Sequence, residues 1–416
     1  MLNLVCHTCL TSLLLAGAAN LPKPGDEQGA AIQELRRRGA LVFLEGDTVV
    51  SIDLPPTAGD DTLLLVAPFI QLRGLGLSGT TITDAGLASV RKLTKLRALE
   101  LTDTNITDKG LQNLKELLQL EHLDLGATKL TDKGLKNLTR LVLLRELRLA
   151  NTMVTDKGLK NLKNLVQLRD LDLNGTKLTG VGLAHLKDMR HLEALMLNDA
   201  SVAGTHLTHL KNLTSLNTLE LSGTRCGDVE AHEIAKIKSL RILDLSSTLI
   251  TNRGLRELRR LPKLELLRLN LTRVSDAGLI ELSAMTQLQQ LGLGELSVSD
   301  TGLAHLSSLK KMRILILDGT RVTDEGLVHL RKIPALMTLS LNDTSLSDVG
   351  LGSVGKLKKL SHLSVDRTQI TVGGLIALKD LKRLLRLSAL GTRINASAIV
   401  EAKKLLPGTE ILITDP

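Results

Sequence analysis

The chain of 416 residues contains no tryptophan, no tyrosine and only two phenylalanines, Phe43 and Phe69. It also has only nine prolines, and no Gly/Ser-rich or charge-rich linker divides it, which favours one continuous body. The lack of aromatic rings excludes an aromatic core and argues against stacking on nucleic acid bases. Hydrophobic residues nevertheless make up 43% of the chain, so the core must be built mainly from leucine.

Cysteine is equally scarce, with three residues at positions 6, 9 and 226, and this excludes a disulfide framework. Cys6 and Cys9 form a CxxC, but Leu10 follows it, so the haem-attachment pattern fails and we interpret the pair as incidental. Cys226 occupies a slot filled elsewhere by Ile or Val, which predicts a thiol in the core.

The N-terminal stretch 10–19, LTSLLLAGAA, has the apolar character of a secretory signal and ends on small residues, although no Lys or Arg precedes it. We therefore predict a signal peptide over residues 1–19 and a periplasmic or extracellular location, with the cytoplasm as the alternative. The stretch is too short and too interrupted by polar residues for a membrane span, and no later segment is more suitable, so we expect no transmembrane anchor.

What the chain has in abundance is leucine at a fixed spacing. TDKGLKNLKNL at 155–165 nearly repeats TDKGLQNLKEL at 107–117 and TDKGLKNLTRL at 131–141. An LxL pair recurs every 24 residues without insertion, and its second position runs through fifteen registers from Leu77 to Ile413. Such a period indicates a solenoid, because a single unit cannot bury its leucines without a neighbour above and below.

Each unit is predicted to contain a strand, a turn and a short helix, as residues 99–117 illustrate. The alternation at 99–101 predicts a strand with its leucines inward and Glu100 outward. Thr104, whose slot is Thr in eleven other units, is placed to hydrogen-bond backbone groups of the turn.

The helix of the same unit is expected to start at Thr107 and Asp108, which are both candidates for its N-cap. Gly110 permits close approach of a neighbouring group to the backbone. The leucines at 111, 114 and 117 supply a buried stripe.

The combined pattern, LxxLxLxxT followed by a hydrophobic residue and TDxGL, resembles the leucine-rich repeat over about residues 72–413. It is most similar to the ribonuclease-inhibitor-like and cysteine-containing subclasses, with Thr in the slot of Asn or Cys, and to a Thr-type 24-residue bacterial variant. The resemblance implies an α/β fold, a right-handed horseshoe or arc with a parallel β-sheet on the concave face and helices on the convex face. It also implies that the solenoid binds partners, without identifying them.

Residues 20–71 are expected to form an N-terminal cap and residues 72–416 the repeat domain, which ends in a terminal strand. The cap is predicted to contain a helix at 28–39, a hairpin at 41–54 and a degenerate repeat at 48–71. We predict that Phe43 and Phe69 cover the open end of the leucine core.

The outward strand positions lie on the concave face, where such solenoids usually bind their partners. The first half of these positions is acidic, with two arginines. We predict that eight of these residues contact a partner. We call them the acidic strip: Glu100, Asp124, Arg148, Asp172, Met196, Glu220, Asp244 and Arg268. The leading hypothesis is a non-enzymatic interaction scaffold without cofactor or metal, whose partner is a basic or amide-rich protein or peptide. The alternative interpretation of the strip is a solvated sheet face whose charges oppose aggregation.

Two other functions are weaker alternatives. A substrate receptor of a ubiquitin ligase would need an adaptor-binding module before the repeats, and the sequence has neither the room nor the pattern for one. A weak binder of nucleic acid or another anionic surface could use the basic column on the helix side, at residues such as Arg91, Lys115 and Lys163, and it is consistent with the formal charge of +9.

For two further features we favour an interpretation without a function. His185, His209, His305 and His329 fall in one helix-side column, and His206 adds an HxxH, but no third or fourth ligand is evident, so a solvated polar column is favoured over a metal site. Residues 200–231 lose several consensus positions, which we interpret as drift and not as a contact point.

Overall fold

The computed structural model describes residues 27–394 and 399–413. The chain divides between Leu195 and Met196 into two compact units. The predicted signal peptide and the CxxC lie outside the described residues.

The first unit opens with helix α1 (Glu27–Arg37) and an antiparallel hairpin of strands β1 (Leu41–Glu45) and β2 (Thr48–Asp53). From β2 onward its strands pair in parallel and in chain order: β3 (Gly74–Gly76), β4 (Ala98–Glu100), β5 (His122–Asp124), β6 (Glu146–Arg148) and β7 (Asp170–Asp172). Between the strands lie α-helices α2 (Asp60–Leu64) and α3 (Asp156–Leu159) and 3-10 helices Gly86–Lys92, Gly110–Leu114, Gly134–Leu138 and Val181–Leu186. Strand β8 (Ala194–Met196) contains the division between the units.

The second unit continues the pattern, with every pairing parallel: β9 (Thr218–Glu220), β10 (Ile242–Asp244), β11 (Leu266–Arg268), β12 (Gln290–Gly292), β13 (Ile314–Ile316), β14 (Thr338–Ser340), β15 (His362–Ser364), β16 (Arg386–Ala389) and β17 (Glu410–Ile413). Its α-helices are α4 (Asp228–Ile234), α5 (Asn252–Leu258), α6 (Asp276–Leu279), α7 (Asp300–Ala304), α8 (Asp348–Val354) and α9 (Ile399–Leu405). Its 3-10 helices are Gly204–Leu210, Ile280–Ala284, His305–Ser308, Gly326–Lys332 and Val372–Leu378.

The core of each unit is a stack of leucines with the spacing that the sequence predicts. Leu99, Leu123 and Leu147 pair directly across neighbouring strands and are essentially inaccessible to solvent. The flanking residues of each three-residue strand point to the opposite face of the sheet. The helices of the repeats are short, and many are of the tighter 3-10 type, because only one or two turns of chain separate the TDxGL motif from the next loop.

The threonine slot behaves as predicted. In each of twelve described turns the threonine hydroxyl donates to the carbonyl oxygen three residues earlier, as Thr104 does to Leu101 at 2.7 Å. The bond satisfies a buried carbonyl group inside the turn.

The expectation that Asp108 caps its own helix is wrong, because the carboxylate reaches the next repeat instead. Its oxygens accept from the backbone N–H of Thr131 at 2.8 Å and from the Thr131 hydroxyl at 2.6 Å. The hydroxyl of Thr131 in turn accepts from the N–H of Lys133 at 3.3 Å, so the threonine makes the local contact. We call this two-bond contact between consecutive repeats the Asp–Thr rung.

The helix and hairpin of the N-terminal region are present at the predicted positions. Phe69 is buried, at 2% exposed, as expected for a residue that covers a core. Phe43 lies in edge strand β1 and is only partly buried, and the covering of the open end of the leucine core by the two rings stays a prediction. The boundaries of the cap and of the repeat domain stay predictions.

Candidate functional site

In the first unit, four residues of the acidic strip form one row across the outer face of the sheet. Glu100 pairs with Asp124, Asp124 with Arg148, and Arg148 with Asp172 in successive strands. All four side chains are partly exposed. Because parallel strands are about 4.8 Å apart, the row presents charged groups at close and regular intervals.

A network of hydrogen bonds and ion pairs lies within this row and beside it. His122 Nδ1 lies 3.0 Å from Glu146 Oε2, and Arg148 Nη2 lies 2.5 Å from Glu146 Oε1. The hydrogen bond from His122 is the main reason that the pKa of Glu146 is below its ordinary value, and the charge of Arg148 adds to the effect. Arg148 Nη1 is also 3.8 Å from Asp124 Oδ2. Arg148 therefore offsets part of the acidic charge around it.

Two strip carboxylates have a structural role as well. Asp124 Oδ1 accepts from the backbone N–H of Gly126 at 2.9 Å, and Asp172 Oδ1 accepts from the N–H of Asn174 at 2.9 Å. These bonds fix the start of the turn after each strand, and they hold the carboxylates in position on the sheet.

In the second unit the acidic strip is more strongly paired. Asp244 is only 8% exposed, and its Oδ2 accepts from Arg268 Nη1 at 3.1 Å. Glu220 Oε2 accepts from the amide of Asn198 at 2.8 Å, while Met196 is a partly exposed apolar member of the strip. The strip thus has less unbalanced charge here than in the first unit.

Further along the second unit, the sheet contains a depression that sequence analysis did not identify as a site. It encloses about 370 Å³, within the usual range of ligand sites. Its floor is formed by serines that follow one another on consecutive strands at 340, 364 and 388. The signal was present in the sequence, since the outward column changes there from charged to small residues.

The helix-side column of the four histidines also contains Asn113, Glu233 and Glu281, at multiples of 24 residues, and these three are less solvated than predicted. Asn113, Glu233 and Glu281 are each about 8% exposed. Burial acts to raise the pKa of Glu281, but its ion pairs with Arg256 and Arg259, at 3.0 and 2.6 Å, hold the pKa below its ordinary value. The prediction of a solvated column is therefore wrong at these three positions, which are buried, and Glu281 pairs there with two arginines of the preceding repeat.

The comparisons with known proteins concern the repeat itself. Residues 92–115 match a model of the Leucine Rich repeat family. No curated protein matches the sequence. Among solved structures, a leucine-rich repeat protein of Leptospira interrogans is 21% identical, with a TM-score of 0.62, over 83% of this chain and 91% of its own. An internalin of Listeria monocytogenes is 23% identical, with a TM-score of 0.52, over 78% of this chain and 82% of its own.

These likenesses concern the fold, and with the strand and helix order they confirm the predicted leucine-rich repeat solenoid. The family model matches one repeat of 24 residues. Within the described residues, no helix is both long and apolar enough to span a membrane.

One irregular repeat of the second unit has a physical explanation. Gly204 stands in the slot of the rung aspartate, and Glu230 stands in the slot normally held by glycine one repeat later. Glu230 is buried, and its two carboxylate oxygens accept from the N–H groups of Gly204 and Gly227, the latter at 2.6 Å. The glutamate therefore bonds backwards across the repeat boundary where the usual aspartate is missing. The interpretation as drift does not account for this compensation.

The remaining candidate residues are the cysteine at position 226 and the helix-side histidines. Cys226 is completely buried, as predicted, and burial raises the pKa of its thiol to about 12. The histidines at 185, 209, 305 and 329 are exposed or partly exposed on the helix side. Among the described residues no group of three or more His, Cys, Asp or Glu side chains could hold a metal ion.

Proposed function

We propose that this protein is a non-enzymatic interaction scaffold that binds basic or amide-rich polypeptides on the concave face of its sheet, which carries the outward strand residues. We further propose that its repeats are the Thr-type bacterial variant related to the ribonuclease-inhibitor-like subclass. An N-terminal signal over residues 1–19 that leads to export is part of the same proposal.

The observation that carries the proposal is the local charge of the sheet in the first unit. Over strands β4 to β7 this face presents Glu100, Asp124, Glu146, Asp170 and Asp172 against one arginine, Arg148. Five carboxylates and one guanidinium give −4 with histidine neutral, on a chain whose formal charge is +9. A rigid face with charge opposite to that of the whole chain attracts cationic segments selectively.

The absence of Trp and Tyr from the sequence bears on the strength of binding. Those side chains usually supply the residues that dominate binding energy at interfaces. We therefore expect modest affinity, built from several exposed charge contacts that each contribute on the order of 0.2–1 kcal/mol.

A peptide array tests the proposal. The purified full chain is applied to an array of random decapeptides, and the amino-acid composition of the bound peptides is compared with that of the array. We expect enrichment of Lys, Arg, Asn and Gln and depletion of Asp and Glu. The variant Glu100→Gln/Asp124→Asn/Asp172→Asn should lose most of this enrichment, because it removes three charges with little change of shape.

The matched control is Asp47→Asn/Glu116→Gln/Glu193→Gln, which also removes three negative charges from the first unit but none from the outward strand positions. It should bind as the wild type does. Equal loss in both variants would mean that net charge alone governs binding, and no enrichment in the wild type would remove the proposal.

A further inference from the structure

The serine groove is the concave part of the sheet in the second unit and lies outside the acidic strip. Ser340, Ser364 and Ser388 form its floor between Ile316 at one end and Leu412 at the other. Serine is smaller than the charged residues that hold this outward position in several earlier strands, such as Glu220 and Arg268, so the backbone of a ligand can approach the sheet closely. The side chains of Thr338, His362 and Arg386 line one long edge.

Along the other edge runs a second column, Asp318, Asn342 and Asp366, which we call the acid wall. Asp318 Oδ1 accepts from the Ser340 hydroxyl at 2.6 Å and from the backbone N–H of Asn342 at 2.9 Å. Asp366 Oδ1 accepts in the same way from the hydroxyl of Ser388 and the N–H of Leu390, both at 2.7 Å.

Asn342 shows that this bonding needs an oxygen but not a charge. Its Oδ1 accepts from the Ser364 hydroxyl and from the N–H of Asp366, each at 2.7 Å. In the aspartates the same two bonds use Oδ1 alone, so Oδ2 of Asp318 and of Asp366 has no hydrogen-bond partner among the described residues.

The cations nearby are already engaged. Arg367 forms a two-bond pair with Asp343, and this pair is the first cause of the raised pKa of Arg367, to which Asp366 and Asp318 add smaller contributions. Arg386 on the opposite edge lies 3.4 Å from Glu410. The acid wall therefore keeps two carboxylate charges available on a partly exposed surface.

We propose that the serine groove binds a polyproline-II-like peptide segment with cationic side chains at positions i and i+3. Asp318 and Asp366 lie two strands apart, which is about 9.6 Å. A polyproline II segment running across the strands returns to the same face every three residues, or about 9.3 Å. The serine oxygens retain lone pairs that can accept from the peptide. This inference rests on the proposed function and deepens it by naming a site and a ligand class.

The test uses the full chain and the fluorescent hexapeptide acetyl-Pro-Lys-Pro-Pro-Lys-Pro-amide, with binding measured by fluorescence anisotropy at low salt. A glutamine peptide of the same pattern and a peptide with its two lysines adjacent serve as ligand controls. We expect the i, i+3 lysine peptide to bind most tightly. Asp318→Asn/Asp366→Asn should weaken it by about fivefold to tenfold, the effect of losing two exposed charge contacts.

Asn342→Asp is the reciprocal variant, because it adds a carboxylate to the same column, and it should tighten binding of the lysine peptide severalfold. The asparagine substitutions keep the acceptor that the fold uses, as Asn342 does in the native chain, so circular dichroism should be unchanged. Wild-type affinity in Asp318→Asn/Asp366→Asn, or no preference for the i, i+3 spacing, would overturn the inference.

The acidic-strip variant Glu100→Gln/Asp124→Asn/Asp172→Asn separates this inference from the proposed function. We expect it to bind the hexapeptide as the wild type does. If it loses binding while the acid-wall variant does not, the groove is not the site but the scaffold proposal stands. If neither variant changes binding, the inference about the groove fails, and the scaffold proposal is decided by the peptide array alone.

Discussion

At the scale of the residue, one backbone position in every repeat adopts a left-handed conformation. It recurs every 24 residues from Gly79 to Gly391, with φ between 52° and 70° throughout. Glycine holds it five times, and the other nine positions are Asp103, Ala127, Asn151, Asp199, Ser247, Leu271, Glu295, Asp343 and Arg367. The turn after each strand imposes this conformation whatever the side chain, and residues other than glycine are strained there.

The strain predicts that Leu271→Gly stabilises the protein. Leu271 has a φ of 57° and is 58% exposed, so the substitution relieves strain and gives up little buried apolar area. We expect a gain of about 0.5–1 kcal/mol in the free energy of unfolding, measured by urea denaturation.

Leu249 provides the matched control for that substitution. It is 46% exposed and does not have a positive φ. Leu249→Gly should therefore lower stability by about 0.5–1 kcal/mol, since glycine only adds conformational freedom to the unfolded chain. A change of the same sign in both variants would refute the explanation by strain.

At the scale of the element, the TDxGL motif is a contact between repeats. The Asp132 carboxylate accepts from the N–H and the hydroxyl of Thr155, at 2.8 and 2.7 Å. A Cβ atom on Gly158 would lie 2.4 Å from Asp132 Oδ1. The glycine is therefore required by the aspartate of the preceding repeat, 26 residues earlier.

The whole sequence follows this relation. Asp or Asn stands in the rung slot at 60, 84, 108, 132, 156, 228, 252, 276, 300, 324 and 348, and glycine always follows 26 residues later. The slot departs from Asp or Asn at Gly180, Gly204 and Val372, and the corresponding later residues are His206, Glu230 and Ala398. Loss of the Asp or Asn acceptor and loss of the glycine thus occur together.

This coupling predicts the outcome of a double substitution in the first unit. Gly158→Glu alone should destabilise the protein by at least about 2 kcal/mol, since the new side chain meets the Asp132 carboxylate and brings a like charge. Asp132→Gly/Gly158→Glu copies the native Gly204 and Glu230 arrangement and should recover more than about 1 kcal/mol of that loss. Urea denaturation of the wild type and three variants measures the coupling.

Asp132→Asn is the control for the charge. Asn252 shows that an amide keeps the rung, since its Oδ1 accepts from the N–H of Ser275 at 2.9 Å. The substitution should therefore cost less than Asp132→Ala, which leaves the N–H of Thr155 without its acceptor at about 1–3 kcal/mol. Additive effects in the double variant would contradict the coupling.

The sequence predicted the parts of the fold that repeat within a single unit. The strand at 99–101, the leucine positions and the bond of Thr104 follow from alternation and from groups separated by a few residues. The role of Asp108 and the left-handed Asp103 did not follow, because they depend on the next repeat and on the closure of the turn. Short helices of the 3-10 type were also missed, since a leucine spacing of three suits either helix type.

The sequence predicts only part of the candidate site, because some of its features depend on contacts between repeats. The outward direction of Glu100 follows from strand alternation, but the bond between His122 and Glu146 depends on side-chain geometry between strands. The charged outward residues predict the acidic strip. The serine groove does not follow from the sequence, because small residues indicate a site only when the residues around them are known.

At the scale of the whole molecule, carboxylates with lowered pKa values occur in both units. Burial acts to raise the pKa of Asp156, but hydrogen bonds from the hydroxyl of Thr179 and from the N–H groups of Gly182, Thr179 and Gly180 together hold it below its ordinary value. Asp276 is similar: burial acts to raise its pKa, and bonds from Ser299, Thr301 and Gly302 lower it. Both residues are rung aspartates, so these two contacts between repeats are more stable when the acid is ionised.

This dependence predicts acid denaturation with a defined sign. An acid whose pKa is lower in the folded state binds more protons when unfolded, so its contribution to stability is complete above the unfolded pKa, near 4. The contribution is lost as the pH falls through the folded value. We expect the urea midpoint to change little between pH 7 and about 5 and to fall steadily below about 4.

Asp156→Asn identifies the source of that fall. The variant should be less stable than the wild type at pH 7, because an amide cannot accept all the bonds that Asp156 receives. Its stability should decline less steeply below pH 4, since one linked proton is removed. Asp47→Asn, in an exposed hairpin turn, should retain the wild-type slope. If the slope of Asp156→Asn equals that of the wild type, the rungs do not control the acid response, and the acids paired with arginine and histidine, Glu281 and Glu146, become the groups to substitute next.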